Sequence, residues 1–144
     1  MQAPVEEFYE LVKGVSKSGR AISGVMDPMW MRLLIDLFKK SVDVKLAFTT
    51  EVYESLRKNL AKNQKKAVLD YDKIEFFLLK KDPHFIFAVG DNCFDINFKL
   101  KSGPETCYME ADFMSFDQRA IKWGFDLFEY YKKLAKPVHI TDYL

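Results

Sequence analysis

The chain has 144 residues, 49% hydrophobic and 15% aromatic with thirteen Phe, a length and composition that suit one globular domain with a substantial core and exclude disorder. Its 22 basic and 21 acidic side chains leave a formal charge of +1, without the basic excess expected of a domain that grips DNA by itself. No run of 18 apolar residues occurs, and the opening MQAPVEEFYE lacks the basic start and apolar stretch of a secretory signal. The expectation is a soluble, cytoplasmic chain with no membrane contact.

In chain order, Val5–Val12 (VEEFYELV) is predicted as a short amphipathic helix, followed by a Gly/Ser-rich break over Gly14–Arg20 and a short buried strand at Ala21–Val25. Asp27-Pro28 then marks a helix start, since Asp caps and Pro suits the first turn, where its missing N–H costs nothing. The helix from Met29 to about Lys40 (MWMRLLIDLF) is apolar on nearly every side and should be covered on two faces, by the sheet and by another helix or a second subunit. A strand at Asp43–Thr49 leads into a helix opened by Thr50 and Glu51, with Val52, Leu56 and Leu60 on one face. The basic stretch Lys58–Lys66 reads as a solvated helix end and loop.

The second half changes character. Ile74–Leu79, Phe85–Val89, Phe94–Leu100 and Thr106–Glu110 read as strands joined by turns at Gly90-Asp91-Asn92 and Lys101–Glu105. Phe85–Val89, apolar throughout, should be central. In the next strand Phe94, Ile96, Phe98 and Leu100 alternate with Asp95, Asn97 and Lys99, predicting one dry and one wet face. Ser115 and Gln118 form the pattern of a capping box. The long helix beyond carries Ala120, Leu127, Phe128, Tyr131 and Leu134 on an apolar stripe, with Gly124 allowing close backbone approach and Pro137 ending it. Helix-linked strands followed by a meander give an α+β fold, a mixed and largely antiparallel sheet with helices packed on it, in a single domain over residues 1–144.

Catalytic groups are scarce. His84 and His139 are the only histidines, neither at ligand spacing to another His or Cys, and Cys93 and Cys107 make neither a zinc site nor a disulfide framework. The two cysteines fall in expected strands and could approach one another, but reduced thiols are the reading. No nucleophile elbow, phosphate loop or dinucleotide fingerprint is present. No metal, cofactor or catalytic residue is expected. Trp30, Trp123, Tyr130 and Tyr131 each bring a polar handle to an apolar body, a type that lines small-molecule pockets and subunit interfaces as well as cores.

Two stretches, Ile22–Leu56 and Phe87–Lys133, resemble the middle, or sensor, domain of archaeal winged-helix transcriptional regulators, the methanogenesis-regulatory-protein family. The Ser-Phe-Asp start at residues 115–117, Ala120, Trp123-Gly124 and the Leu-Phe-Glu-Tyr-Tyr ending at residues 127–131 are the most specific part. The resemblance runs from about Phe8 to Ala135. It implies a domain that normally follows an N-terminal winged helix-turn-helix of about 80–100 residues. Nothing in the 144 residues reads as a recognition helix plus wing, so DNA would be reached only through a DNA-binding domain outside them. Gly90 stands where a Thr is expected before Asp91. The family fold is distantly similar to half of a phospholipase D fold. That enzyme needs a Lys two residues after its His, and His84-Phe85-Ile86 and His139-Ile140-Thr141 both lack it.

The function expected is therefore effector sensing and homodimerisation in an archaeal, methanogen-type transcription regulator, without catalysis. A small-molecule effector would bias one of two dimer arrangements, and the Val5–Val12 helix would pass that bias on. Ser23, Trp30, Thr49, Asp91 and Trp123 are the candidate ligand-binding residues, each with capping or core packing as an alternative. The competing readings are a ligand-free protein–protein interaction module and a small enzyme of unassigned chemistry.

Overall fold

A computed structural model of the chain describes residues 10–23, 28–100, 107–108 and 112–139. After a helical turn at residues 10–13 come β1 (Ser18–Ile22), α1 (Pro28–Lys39), β2 (Asp43–Thr49), α2 (Thr50–Asn59), α3 (Lys62–Asp70) and β3 (Ile74–Leu79). Then follow β4 (Phe85–Gly90), β5 (Phe94–Leu100), β6 (Cys107–Tyr108), β7 (Phe113–Ser115), α4 (Gln118–Leu134) and β8 (Lys136–Val138). The strands form one sheet in the order β6-β5-β4-β1-β2-β3-β8, with β7 also paired to β5. β1–β2 and β2–β3 are parallel, and the remaining pairings are antiparallel.

Side-chain alternation along the strands separates two cores. Ala21, Leu46 and Phe76 turn to one face, where Leu33, Leu34 and Leu37 of α1, Tyr53 and Leu56 of α2 and Val68 of α3 cover them. Their neighbours Ile22, Ala47 and Phe77 turn to the other, under Ile121 and Phe128 of α4. The result is three layers, helices on both faces of a mixed sheet. Helix-bearing crossovers are what parallel strands require, whereas the antiparallel strands need only turns. α1 is covered on two sides, by the sheet and by α3, with Phe38 stacked on Tyr71 at 4.1 Å between ring centroids.

Several local expectations are corrected. The first strand begins at Ser18 inside the Gly/Ser-rich break, because β2 and β4 offer ladder partners on both sides. The basic stretch Lys58–Lys66 is not a loop: α2 stops at Asn59, buried Leu60 anchors an extended break, and α3 starts at Lys62 with Gln64 Oε1 accepting from the Ala61 amide at 3.0 Å. The cap of α4 is Asp117, whose carboxylate accepts from the Arg119 amide at 2.8 Å, whereas Ser115 ends β7 and its hydroxyl accepts from the Asp117 amide. The two faces of β5 depart from expectation: Asp95 and Asn97, expected wet, are 5% and 3% exposed, whereas Phe98, expected dry, is 41% exposed. Cys93 and Cys107 lie at opposite ends of β5, Cys107 opposite Leu100, so they do not meet. Residues 5–9, the Asp27 cap and the Lys101–Glu105 turn lie outside the described residues.

A candidate effector cleft at the carboxyl ends of the parallel strands

The chain must pass from β3 to β4 across the ends of β2 and β1. That is three inter-strand steps, roughly 14 Å, against a reach of about 20 Å for the six residue steps from Leu79 to Phe85. The connection therefore runs nearly straight over the carboxyl ends of the parallel strands and becomes one wall of a cleft. Asp82 and Pro83 stand in that wall. Asp82 Oδ1 accepts from the His84 amide at 2.8 Å, which holds the turn that places His84 at φ 62°. Ser23 and Thr49 follow β1 and end β2, Thr50 and Glu51 open α2, and Lys99 reaches across from β5 to pair with Asp82.

The cleft measures about 610 Å³, within the range of small-molecule sites. Its apolar wall includes Ile22, Val52, Leu79, Phe85 and Ile86; Ser23, Thr49 and Thr50 contribute hydroxyls, and Glu51, Lys80, Asp82 and Lys99 contribute charge. Thr49 makes no side-chain cap bond to α2, so its hydroxyl is not committed to the helix start. Burial would raise the Asp82 carboxyl, but Lys99 and the His84 amide outweigh it and hold it below the usual value of 3.8. Asp82 is thus an ionised, paired group rather than a proton donor.

The five residues singled out in the sequence do not converge. Ser23 and Thr49 line the cleft. Trp30 instead lines a cavity of about 40 Å³ under α1, room for a water or two rather than a metabolite. Asp91 sits at the opposite end of the sheet, where its carboxylate accepts from the amides of Ser16 and Lys17 at 3.1 and 3.0 Å and from the Ser16 hydroxyl at 2.8 Å. Burial opposes its charge, but those donors hold its pKa at about 2. Trp123 lies on the outer side of α4, half exposed, its ring edge-on to Phe94 at 5.5 Å. The missing members of the cleft, Lys80, Asp82 and Lys99, carry no local signal, because only strand order brings them beside Ser23 and Thr49.

His84 and Cys93 are not set up as reactive groups. His84 is exposed, its ring carries no Lys partner two residues on, and Cys93 is at the far end of β4. Burial, reinforced by Asp95 and Asp91, pushes the Cys93 thiol up to about 11, away from thiolate chemistry. Among the described residues no three His, Cys, Asp or Glu gather as metal ligands, and no helix is long and apolar enough to cross a membrane.

Residues 1–134 match the family model of the middle domain of the methanogenesis regulatory protein FilR1. The chain belongs to this family. No curated protein matches it. Among solved structures, the fold is similar to that of TrmBL2, an archaeal chromatin protein that binds DNA, with a TM-score of 0.64 and 16% identity over 93% of this chain and 50% of that one. It is equally similar to Nuc, a phospholipase D family member from Salmonella typhimurium, with a TM-score of 0.64 and 12% identity over 93% of this chain and 90% of that one. At such identities the likeness shows the fold alone, and the chain spans half the length of TrmBL2. The chain thus has the α+β sheet expected from its sequence, with a fold similar to that of a phospholipase D family member. Neither of its histidines, His84 or His139, is followed two residues on by a Lys.

Proposed function

We propose that this FilR1 middle domain is the effector-sensing and self-associating part of an archaeal, cytoplasmic transcription regulator, acting by binding and without catalysis. The observation that carries the reading is the cleft of about 610 Å³ at the carboxyl ends of β1–β3, which offers hydroxyls and neutralised charge but no activated nucleophile or acid–base pair. A small polar metabolite with an apolar body suits such walls. Ser23 and Thr49 would orient it, Lys80 and the Lys99–Asp82 pair would select its charge, and Ile22 and Leu79 would hold its apolar part. With a net charge of +1 the domain lacks the overall basic excess of one that holds DNA by itself, so DNA would be reached through a winged helix-turn-helix outside these 144 residues. Trp30, Asp91 and Trp123 drop out of the ligand set and take structural or interface roles.

A thermal-shift screen of metabolites tests the reading. A ligand present at about 100 times its Kd adds about 2.7 kcal/mol to the folded state. The expected result is a shift that Ser23→Ala or Thr49→Val reduces and Asp117→Asn leaves intact. Flat melting curves across metabolites would instead favour a domain that only joins protein chains.

A further inference from the structure

α4 is the only described helix on its face of the sheet, and a helix with its side chains is about 10–12 Å wide. Seven strands at about 4.8 Å spacing extend well beyond that width. Among the described residues, the side left uncovered is the β5–β7 side. Phe98 of β5 and Phe113 of β7 turn to this face, ring against ring at 6.2 Å, with Phe113 57% exposed. Beside them α4 raises Trp123, Tyr130 and Leu134, each more than half exposed, and Phe116 stands at the entry to the helix. Half-buried rings join the two parts: Tyr130 meets Tyr131, Tyr131 meets Phe85, and Phe85 meets Phe98.

With roughly half of each of six large side chains open to solvent, the strip presents on the order of 500–700 Å² of apolar surface. That is at the upper limit for a monomer and close to the roughly 800 Å² that each partner buries in a stable complex. Most of the charges bordering it on α4 are paired within the chain, Asp117 with Arg119, Lys122 with Asp126 and Glu129 with Lys132. With Lys133 as the one basic group there outside these ion pairs, the rim is nearly neutral, which suits a partner equally near neutrality, and a second copy meets that condition with little like-charge repulsion. We propose that a second copy of this chain docks here about a two-fold axis, the Trp123–Tyr130 ridge of each copy lying on the Phe98–Phe113 strip of the other. This rests on the self-association in the proposed function and assigns it a surface.

Sedimentation of the 144-residue chain tests it, with circular dichroism to verify folding. The wild type should sediment at twice 16.9 kDa. Trp123→Glu and Phe113→Glu should each raise the dimer Kd at least roughly tenfold, while Leu69→Glu, an exposed apolar site on α3 across the sheet, should leave it unchanged. A wild type that stays monomeric overturns both the surface and the self-association. A dimer indifferent to Trp123→Glu and Phe113→Glu overturns the surface and leaves self-association standing. A readout that needs no variant is acrylamide quenching of the wild type, which should fall as concentration rises through the dimer Kd. Dimerisation with unchanged quenching overturns the surface.

Discussion

Asp91, in the turn between β4 and β5, and Asp95, four residues on in β5, have surroundings that drive their carboxyls in opposite directions. Asp91 gathers the amides of Ser16 and Lys17 and the Ser16 hydroxyl, so its charge is satisfied and its pKa falls to about 2. Its contribution to stability is present above the unfolded value of 3.8 and is lost as pH falls toward 2. Asp91→Ala should cost about 1.5–3 kcal/mol in chemical denaturation at pH 7, the range for hydrogen bonds to a charged group. Asp95 is buried, shares a hydrogen bond with Asp112 and leaves Oδ1 without a protein partner, so burial and then Asp112 raise it to about 8. Here the sign reverses. The contribution is complete below about 3.8 and declines as pH rises toward 8. Asp95→Asn, which keeps a donor toward Asp112 and cannot ionise, should gain stability relative to wild type across that interval. A stability difference that does not change with pH would refute the protonated state.

At the scale of elements, α4 is held by close approach rather than by its stripe alone. A Cβ at Gly124 would stand 2.6 Å from Phe94 Cδ2 and 2.9 Å from Val89 Cγ2. Phe94 is itself wedged between Trp123 and Phe87, so it has little room to give. Gly124→Ala should therefore destabilise by about 1–2 kcal/mol despite the helix propensity gained, because overpacking outweighs it. Equal or higher stability of the variant would mean that the helix shifts freely. Gly90 has the same origin. A Cβ there would meet Val15 Cγ2 at 2.5 Å, which predicts a loss of stability for Gly90→Thr. The strands Ile74–Leu79 and Phe94–Leu100 and the Pro28 helix start were legible from alternation and turn chemistry, whereas α3 was not. Only Val68 of its nine residues is buried, so its sequence carries almost no periodic signal. β8 was missed for a related reason: a three-residue edge strand containing Pro137 is identified by its partner β3 rather than by its own composition.

At the scale of the whole molecule, sheet order decides where function can sit. The β3–β4 connection is too short to do anything but cross the ends of β2 and β1, and that crossing creates the cleft. Lengthening it by two or three Gly/Ser residues after Lys81 should leave the melting temperature within a few degrees, since loop-closure entropy grows slowly, while weakening any ligand found in the thermal-shift screen. Full-strength binding in such a variant would mean that the wall formed by Asp82 and Pro83 is not part of the site.

Residue order by itself determined the class of fold, most of the strands, the relation to the FilR1 middle domain and the missing Lys after His84, because each is written in local periodicity or in a short motif. Placing Ser23 beside Lys99, burying Asp95 and leaving the β5–β7 strip uncovered were decided by the tertiary structure alone. Those features follow from which strands become neighbours and how far one helix can cover them. Neighbours and coverage are set by the joint burial of distant segments, which no short window of sequence contains.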